Sequence, residues 1–164
     1  MKFIADAMLG RLAKWLRILG FDVLYYPDID DREIVRIARE QERTILTRDT
    51  QLIKRRGLPG VIFIDKDDVV DQLILIRTRL GFSQVVFSGR CAICNGLIDE
   101  VPQKEEVRDL VPDFIYLNSP VFMRCSDCGR VYWEGSHGKG MREKVKGVLP
   151  VSRKWLPGGE EGRQ

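Results

Sequence analysis

The sequence predicts an α/β fold in which a parallel sheet flanked by helices precedes a small cysteine-bearing domain. Short apolar runs alternate with amphipathic stretches through the first half of the 164 residues, the order expected of strands joined by crossover helices. Beyond residue 84 the alternation stops, and two C-x2-C pairs lie among short strand-like pieces. We therefore expect one domain over residues 1–84, a second over 85–149, and a poorly ordered polar tail over 150–164.

The predicted sheet is built from four short apolar runs. We expect strands at Lys2–Ala5, Asp22–Tyr26, Thr44–Thr47 and Val61–Ile64. The fourth run is wholly apolar, which is typical of a parallel strand covered on both faces.

A helical segment follows each predicted strand. Leucines at helical spacing predict a helix over Met8–Leu19. Asp30 and Glu33 form a capping-box-like pair at the start of the next helix. The remaining helices are expected over 49–56, from Asp67 or Asp68 to Leu80, and, as a short basic helix, within 138–149.

Composition indicates an ordinary globular protein, with 44% hydrophobic and 31% charged residues. No apolar run approaches the roughly 18 residues of a membrane span. An acid at Asp6 interrupts the apolar start where a signal peptide would continue. We therefore expect a cytoplasmic protein whose cysteines stay reduced and are available for metal rather than for disulfides.

The cysteine spacing is C-x2-C, thirty residues, then C-x2-C, and it uses every cysteine of the chain: Cys91, Cys94, Cys125 and Cys128. Four thiolates suit tetrahedral zinc and leave no open coordination position, so a structural zinc site is predicted. An iron–sulfur cluster would also accept four thiolates. A redox pair is less favoured, because these cysteines lie beyond the predicted βαβ units.

Carboxylates follow all four predicted strands. Asp6 ends the first strand, Asp49 follows the third, and acidic groups at 28–33 and 65–68 follow the other two. Functional groups of an open parallel sheet gather beyond the carboxyl ends of its strands, and clustered carboxylates suit Mg²⁺ or Mn²⁺. Helix capping would equally explain Asp30, Asp49 and Asp67, whereas Asp6 ends a buried strand and is harder to explain in that way.

Three basic residues, Arg11, Lys14 and Arg17, lie three apart on the predicted first helix. Such a face can bind a phosphate backbone, although a solvated helix face has the same pattern. Arg48, beside Asp49, is a further candidate for contact with phosphate.

Several motifs together resemble the Mut-seven C-terminal RNase family, which couples a PIN-like nuclease domain to a C-terminal zinc ribbon. The motifs are Phe3–Asp6, Leu9–Arg17, Leu19–Asp22, Leu46–Asp49 and the two cysteine pairs. The resemblance extends to about Leu149, and the long first motif is its most specific part.

The resemblance implies a PIN-like α/β fold and Mg²⁺- or Mn²⁺-dependent cleavage of RNA. By position, Asp6 and Asp49 match the first-strand and third-strand acids of PIN-like sites. For the third acid we choose Asp31 over Asp30, since Asp30 is the better helix cap. The sequence does not decide which of Asp65, Asp67 and Asp68 is the fourth acid. The number of catalytic metals is therefore also undecided.

The sequence is compatible with two candidate functions. The first is a ribonuclease in which Asp6, Asp31 and Asp49 hold the divalent metal and the zinc ribbon either extends the RNA-binding surface or braces the nuclease half. The second is a non-catalytic module in which a degenerate PIN-like domain and the ribbon bind RNA or a protein. A homo-oligomer, or a protein partner bound through the ribbon, is also compatible with the sequence.

Overall fold

The computed structural model describes residues 1–82, 85–86, 89–147, 149 and 151–152. Its first half contains strands β1 Lys2–Ala5, β2 Asp22–Tyr25, β3 Thr44–Thr47 and β4 Val61–Phe63. All three strand pairings are parallel, and the sheet order is β2-β1-β3-β4. The predicted parallel sheet is confirmed, and the strand ends agree with prediction to within one residue.

Three helices connect or follow these strands. A 3-10 turn over Ala7–Leu9 leads into α1 Gly10–Ile18, and α2 Asp31–Glu40 and α3 Val69–Leu80 come later. As expected from the sequence, Asp30 caps α2 by accepting a hydrogen bond from the Glu33 amide. Among the described residues no helix has the length and apolar character needed to cross a membrane.

The helices cover both faces of the sheet because strand side chains alternate between faces. Phe3 and Ala5 pack with α1 and α3 in one core, whereas Ile4 and Ile45 pack with α2 in the other. The sheet is therefore the middle one of three layers. Its carboxyl edge, where the strands end, is bordered by the loops that follow them.

The prediction of a helix over residues 49–56 is wrong. Only a 3-10 turn at Leu52–Lys54 forms there. Asp49 turns the chain locally by accepting from the Gln51 amide, Arg55 is already extended, and Gly57 has a φ of 68°. Leu52 alone is buried in this segment, so a longer helix would gain little apolar contact in return for the ordering it requires.

The cysteine region forms a small antiparallel sheet with its own apolar cluster. Its strands are β6 Ile98–Glu100, β7 Phe122–Cys125 and β8 Val131–Trp133, after a short β5 at Val85–Val86. Val101, Val107, Val111 and Phe122 form the cluster. A 3-10 helix at Lys104–Leu110 and α4 Asp113–Asn118 fill the connection between the cysteine pairs.

The chain then returns to the first half, so the division between domains differs from the predicted one. The basic helix is present as α5 Ser136–Val145, and β9 Val151–Ser152 pairs in parallel with β5. Val85, Val145 and Leu149 lie in the same core as α1 and α3. The ribbon is thus an insertion between two segments that contribute to one core. Residues 153–164 of the predicted tail lie outside the described residues.

Strand β2 is an edge of the sheet, and the first cysteine pair docks onto it through side chains of Arg17 and Asn95. The Val23 carbonyl accepts from Arg17 Nε at 2.9 Å, and the Val23 amide donates to Asn95 Oδ1 at 3.0 Å. Arg17 Nη1 also donates to the carbonyls of Ala92 and Ile93, at 3.1 and 2.8 Å. The side chains of Arg17 and Asn95 thus provide hydrogen-bond partners for backbone groups of the edge strand, and Arg17 does the same for the turn of the first cysteine pair, which we call the knuckle.

A carboxylate supports the same junction from its other side. Asp22 accepts from Asn95 Nδ2 at 2.9 Å and from the buried guanidinium of Arg43 at 2.7 Å. Burial raises the pKa of Asp22, but the hydrogen bonds from Arg43 and Asn95 outweigh this effect and hold it below its ordinary value. The charge of Asp22 is therefore compensated where the two units meet.

Replacing Arg17 tests the importance of this junction. Because three carbonyls would lose a charged donor, Arg17→Gln should lower the free energy of unfolding by about 2–4 kcal/mol. Arg11→Gln on the exposed face of the same helix should change it by less than about 0.5 kcal/mol. Urea unfolding of the zinc-loaded proteins measures both, and equal stability of the two variants would contradict the assigned role of Arg17.

Candidate functional site

The sheet order places β1 and β3 side by side at the point where the chain reverses direction. From β1 the chain crosses over to β2 on one side, and from β3 it continues to β4 on the other. Ligands of open α/β sheets bind outside the carboxyl ends of the strands at such a switch point. Asp6 directly follows β1 and Asp49 lies two residues after β3. Both acids therefore lie at the carboxyl edge beside this switch point.

Asp6 is buried, with 6% of its surface exposed. Its Oδ1 accepts from the Met8 amide at 2.9 Å, and its Oδ2 accepts from Thr47 Oγ1 at 2.5 Å and from the Arg48 amide at 2.7 Å. Such donors replace the hydrogen bonds to water that a carboxyl group loses on burial. These contacts fix the orientation of Asp6 and leave acceptor capacity on Oδ1.

Thr47 joins the two acids at the carboxyl edge. Its hydroxyl donates to Asp6 and accepts from the Asp49 amide at 2.9 Å. Asp49 is partly exposed, and its Oδ1 accepts from the Gln51 amide at 2.6 Å. Thr47 was not predicted from the sequence as a site residue. Its only sequence signal is that a hydroxyl residue ends a strand two positions before an acid.

Asp31, the predicted third acid, lies at the first position of α2 rather than beside Asp6. Its Oδ2 is 2.8 Å from Arg55 Nη2, and its side chain is 31% exposed. Within the part of the chain that the structure describes, the four cysteines are the one group of three or more His, Cys, Asp or Glu side chains close enough to share an ion. The three predicted acids are therefore not gathered into a single cluster.

The candidates for a fourth acid are all exposed, and each has a local role. Asp68 caps α3 by accepting from the amides of Val70 and Asp71. Asp67 forms an ion pair with Arg48, and Asp65 lies 3.6 Å from Lys66. These contacts are the ones that capping and surface pairing alone would produce.

The predicted basic face is partly wrong. Arg11 and Lys14 are exposed, but Arg17 is 5% exposed and is engaged in the junction with the ribbon. Arg48 is partly exposed at the carboxyl edge, where it reaches Asp67. Helical spacing placed Arg17 in line with its neighbours, but the ribbon covers that end of the helix.

The four cysteines form a compact group. Their sulfurs all lie within 4.8 Å of one another, with Cys91 Sγ 3.7 Å from Cys128 Sγ and Cys94 Sγ 3.4 Å from Cys125 Sγ. Tetrahedral zinc with Zn–S bonds near 2.3 Å would require separations of roughly 3.8 Å. The group can therefore hold a structural metal such as zinc.

The surroundings of Cys91 favour its metal-binding form. Burial raises the pKa of this thiol, but hydrogen bonds from the Cys94 amide, the Tyr132 hydroxyl and the Ile93 amide lower it to about 6. The Tyr132 oxygen lies 2.9 Å from Cys91 Sγ. A lowered thiol pKa increases the fraction of thiolate, which is the form that ligates metal.

Backbone conformation allows the two cysteine pairs to approach each other. Asn95 and Gly129, each directly after a C-x2-C pair, both have a φ of 71°. A Cβ atom on Gly96 would lie 2.6 Å from Asp127 Oδ2 and 2.9 Å from Asp127 Cβ. Only glycine therefore fits at position 96 without moving the second pair away from the first.

The fold is thus a parallel α/β sheet with Asp6 and Asp49 at its carboxyl edge, accompanied by a four-cysteine group that could hold a metal. The family model described as Mut7-C RNAse domain matches residues 1–145, and the chain belongs to that family. No curated protein and no solved structure gives a significant match to the chain.

Gly96→Ala should weaken zinc binding, because the added methyl group separates the two cysteine pairs. Overpacking of this kind costs about 1–3 kcal/mol, so we expect a loss of affinity of about tenfold. Competition with a chromogenic chelator measures it.

Gly140→Ala serves as the matched control for this loss. A Cβ atom at that position meets nothing within 4 Å, so zinc affinity should be unchanged. Equal affinity in the two variants would contradict the role given to Gly96.

Proposed function

We propose that this chain is a divalent-metal-dependent ribonuclease that hydrolyses RNA phosphodiester bonds at the carboxyl edge of its parallel sheet. The observation that carries the proposal is the pair Asp6 and Asp49, linked through Thr47 at the switch point of a chain that belongs to an RNase-domain family. Asp6 carries most weight, because it is buried at the end of the inner strand β1 and three donors hold its carboxylate in one orientation.

The donor set suits Mg²⁺ or Mn²⁺. Such ions are commonly held by one or two carboxylates, with water and substrate phosphate oxygens completing the shell. Asp6 and Asp49 would supply the carboxylates. Asp31 would join them as the third acid only by giving up its ion pair with Arg55. A bound ion would lower the pKa of an attacking water and neutralise charge developing on the phosphate.

The chain's own residues would prepare this site. Thr47 holds Asp6 in one orientation and fixes the backbone of Asp49 through the same hydroxyl. Exposed Arg11 and Lys14 would contact the RNA backbone, and Arg48 would meet a phosphate at the edge. We withdraw Arg17 from this role because its guanidinium is buried against backbone carbonyls.

We assign the four cysteines to a structural zinc that braces the nuclease half. Four thiolate ligands leave no open position for substrate. The knuckle that the metal would shape is the one whose carbonyls bind Arg17. Retention of four reduced thiols agrees with a cytoplasmic location.

The alternative is a non-catalytic binding module. It is favoured by the ion pair that occupies Asp31. A protein partner bound through the ribbon would suit the exposed side chains of Phe114 and Leu117 on α4, which are 72% and 75% exposed.

A cleavage assay separates the two functions. Labelled RNA, single-stranded and structured, is incubated with the zinc-loaded protein in Mn²⁺, in Mg²⁺ or with excess EDTA. We expect cleavage with metal only, and a loss of at least about 100-fold in Asp6→Asn and Asp49→Asn, since each removes a proposed ligand. Arg79→Gln, far along α3, should retain full activity.

Two outcomes of this assay would overturn the proposal. Undiminished cleavage by both aspartate variants would show that the activity does not reside at this edge. RNA binding without cleavage under every metal condition would establish the binding module instead.

Thr47 is proposed as a positioning residue, and its hydroxyl is testable separately. Thr47→Val should lower kcat about 10–100-fold with little change in KM, as is typical when a partner of a metal ligand is lost. Thr47→Ser, which keeps the hydroxyl, should restore most of kcat. A serine variant as impaired as the valine variant would mean that the methyl group matters and the hydrogen bonds do not.

A further inference from the structure

A basic groove lies along α2 on the face of the sheet opposite α1 and α3. It has a volume of about 440 Å³, and beside one glutamate and two apolar residues its lining contains five arginines: Arg32, Arg36, Arg39, Arg55 and Arg56. We refer to this set as the arginine groove. The five arginines outnumber the acids paired with them, which are Glu33, Glu40 and Asp31. The remaining positive charge attracts anions.

The arginine groove begins at the N-terminus of α2, which follows the carboxyl end of β2. Asp31 and Arg55 form an ion pair there, and together with Asp30 and Arg32 they line an adjoining cavity that shares Arg32 and Arg55 with the groove. From Arg32 to Arg39 the row of helix side chains extends about 10 Å away from the carboxyl end of β2. A strand lying along the row would have one end at the carboxyl edge of the sheet.

Three of the arginines are held in place by the fold. Arg36 is paired with Glu33 and Glu40 on the same helix. Arg39 Nη2 donates to the Gly57 carbonyl at 2.7 Å, and Arg55 is paired with Asp31. These contacts shape the groove, and they partly offset the charge of Arg36.

The other two arginines are available to a ligand. Arg32 and Arg56 are exposed, and within the described part of the chain neither guanidinium forms an ion pair within 4.0 Å, although Arg32 lies near Asp30. Guanidinium groups bind phosphate oxygens in a bidentate manner. The chemistry of the groove therefore suits a chain of phosphates.

We infer that the arginine groove binds the phosphate backbone of single-stranded RNA and leads that strand to the carboxyl edge. This inference rests on the proposed ribonuclease function and adds to it a substrate path along the α2 face. Arg11 and Lys14 of α1, proposed above to contact the RNA backbone, lie on the opposite face of the sheet. Phosphate contacts carry no sequence information, so the groove binds strands of different sequence alike.

The test is RNA binding by Arg32→Gln/Arg56→Gln in the zinc-loaded full chain. Affinity for fluorescent single-stranded RNA is measured by anisotropy in EDTA between 50 and 200 mM salt, with two unrelated sequences. Each lost contact to a single strand lowers the salt slope by about 0.7, so the slope should fall by about 1.4. Affinity should fall roughly tenfold for both sequences. Arg79→Gln/Lys144→Gln, with the same charge change on α3 and α5, should bind like the wild type.

The two proposals fail in different ways, because binding in EDTA does not require cleavage. Unchanged affinity and slope in Arg32→Gln/Arg56→Gln overturn the groove even if Asp6 and Asp49 prove essential for cleavage. Equal losses in the α3/α5 control also overturn it, since they would reflect net charge alone. The expected binding losses in a protein that never cleaves RNA support the groove and refute the ribonuclease.

Discussion

The hydrogen bonds at the edge strand β2 tie the four-cysteine ribbon to the sheet. Val23 offers one amide and one carbonyl there, and these groups bind Asn95 and Arg17 rather than water. The same guanidinium reaches the carbonyls of the first cysteine knuckle. An exposed edge strand is a site for unwanted pairing, so the ribbon both protects the sheet and depends on it. Buried Arg17 could not be accommodated without these acceptors.

Through this junction, the conformation of the four-cysteine group also affects how the ribbon contacts the sheet. Asn95 has a positive φ directly after Cys94, so the turn that the metal would hold is also the turn that presents the Asn95 side chain to β2. Metal binding and folding are linked when a site is absent from the unfolded chain. The return of α5 and β9 to the first core places the ribbon between two segments of one domain, which restricts its movement further.

At the other end of the strands, one hydroxyl group, that of Thr47, holds both the Asp6 carboxylate and the backbone of Asp49. Asp6 is stabilised by three donors, whereas Asp49 keeps one side toward solvent. An arrangement in which one acid is fixed and the other is accessible suits a metal that must also bind water and substrate. The arginine groove approaches this edge from the α2 side, and the exposed residues of α1 approach it from the other side.

The sequence alone predicted the parallel sheet, the cap Asp30 and the four-cysteine group, because each depends on local pattern or spacing. It left the start of α3 open between Asp67 and Asp68, and the structure places the cap at Asp68. Tertiary structure decided the rest. Arg17 has helical spacing like that of Arg11 and Lys14, and only contact with a loop about 75 residues away buries it. The segment after Asp49 lacks the apolar face that would support a helix. Thr47 acquires its role, and the ribbon becomes an insertion, through contacts between segments far apart in the chain, which no local pattern records.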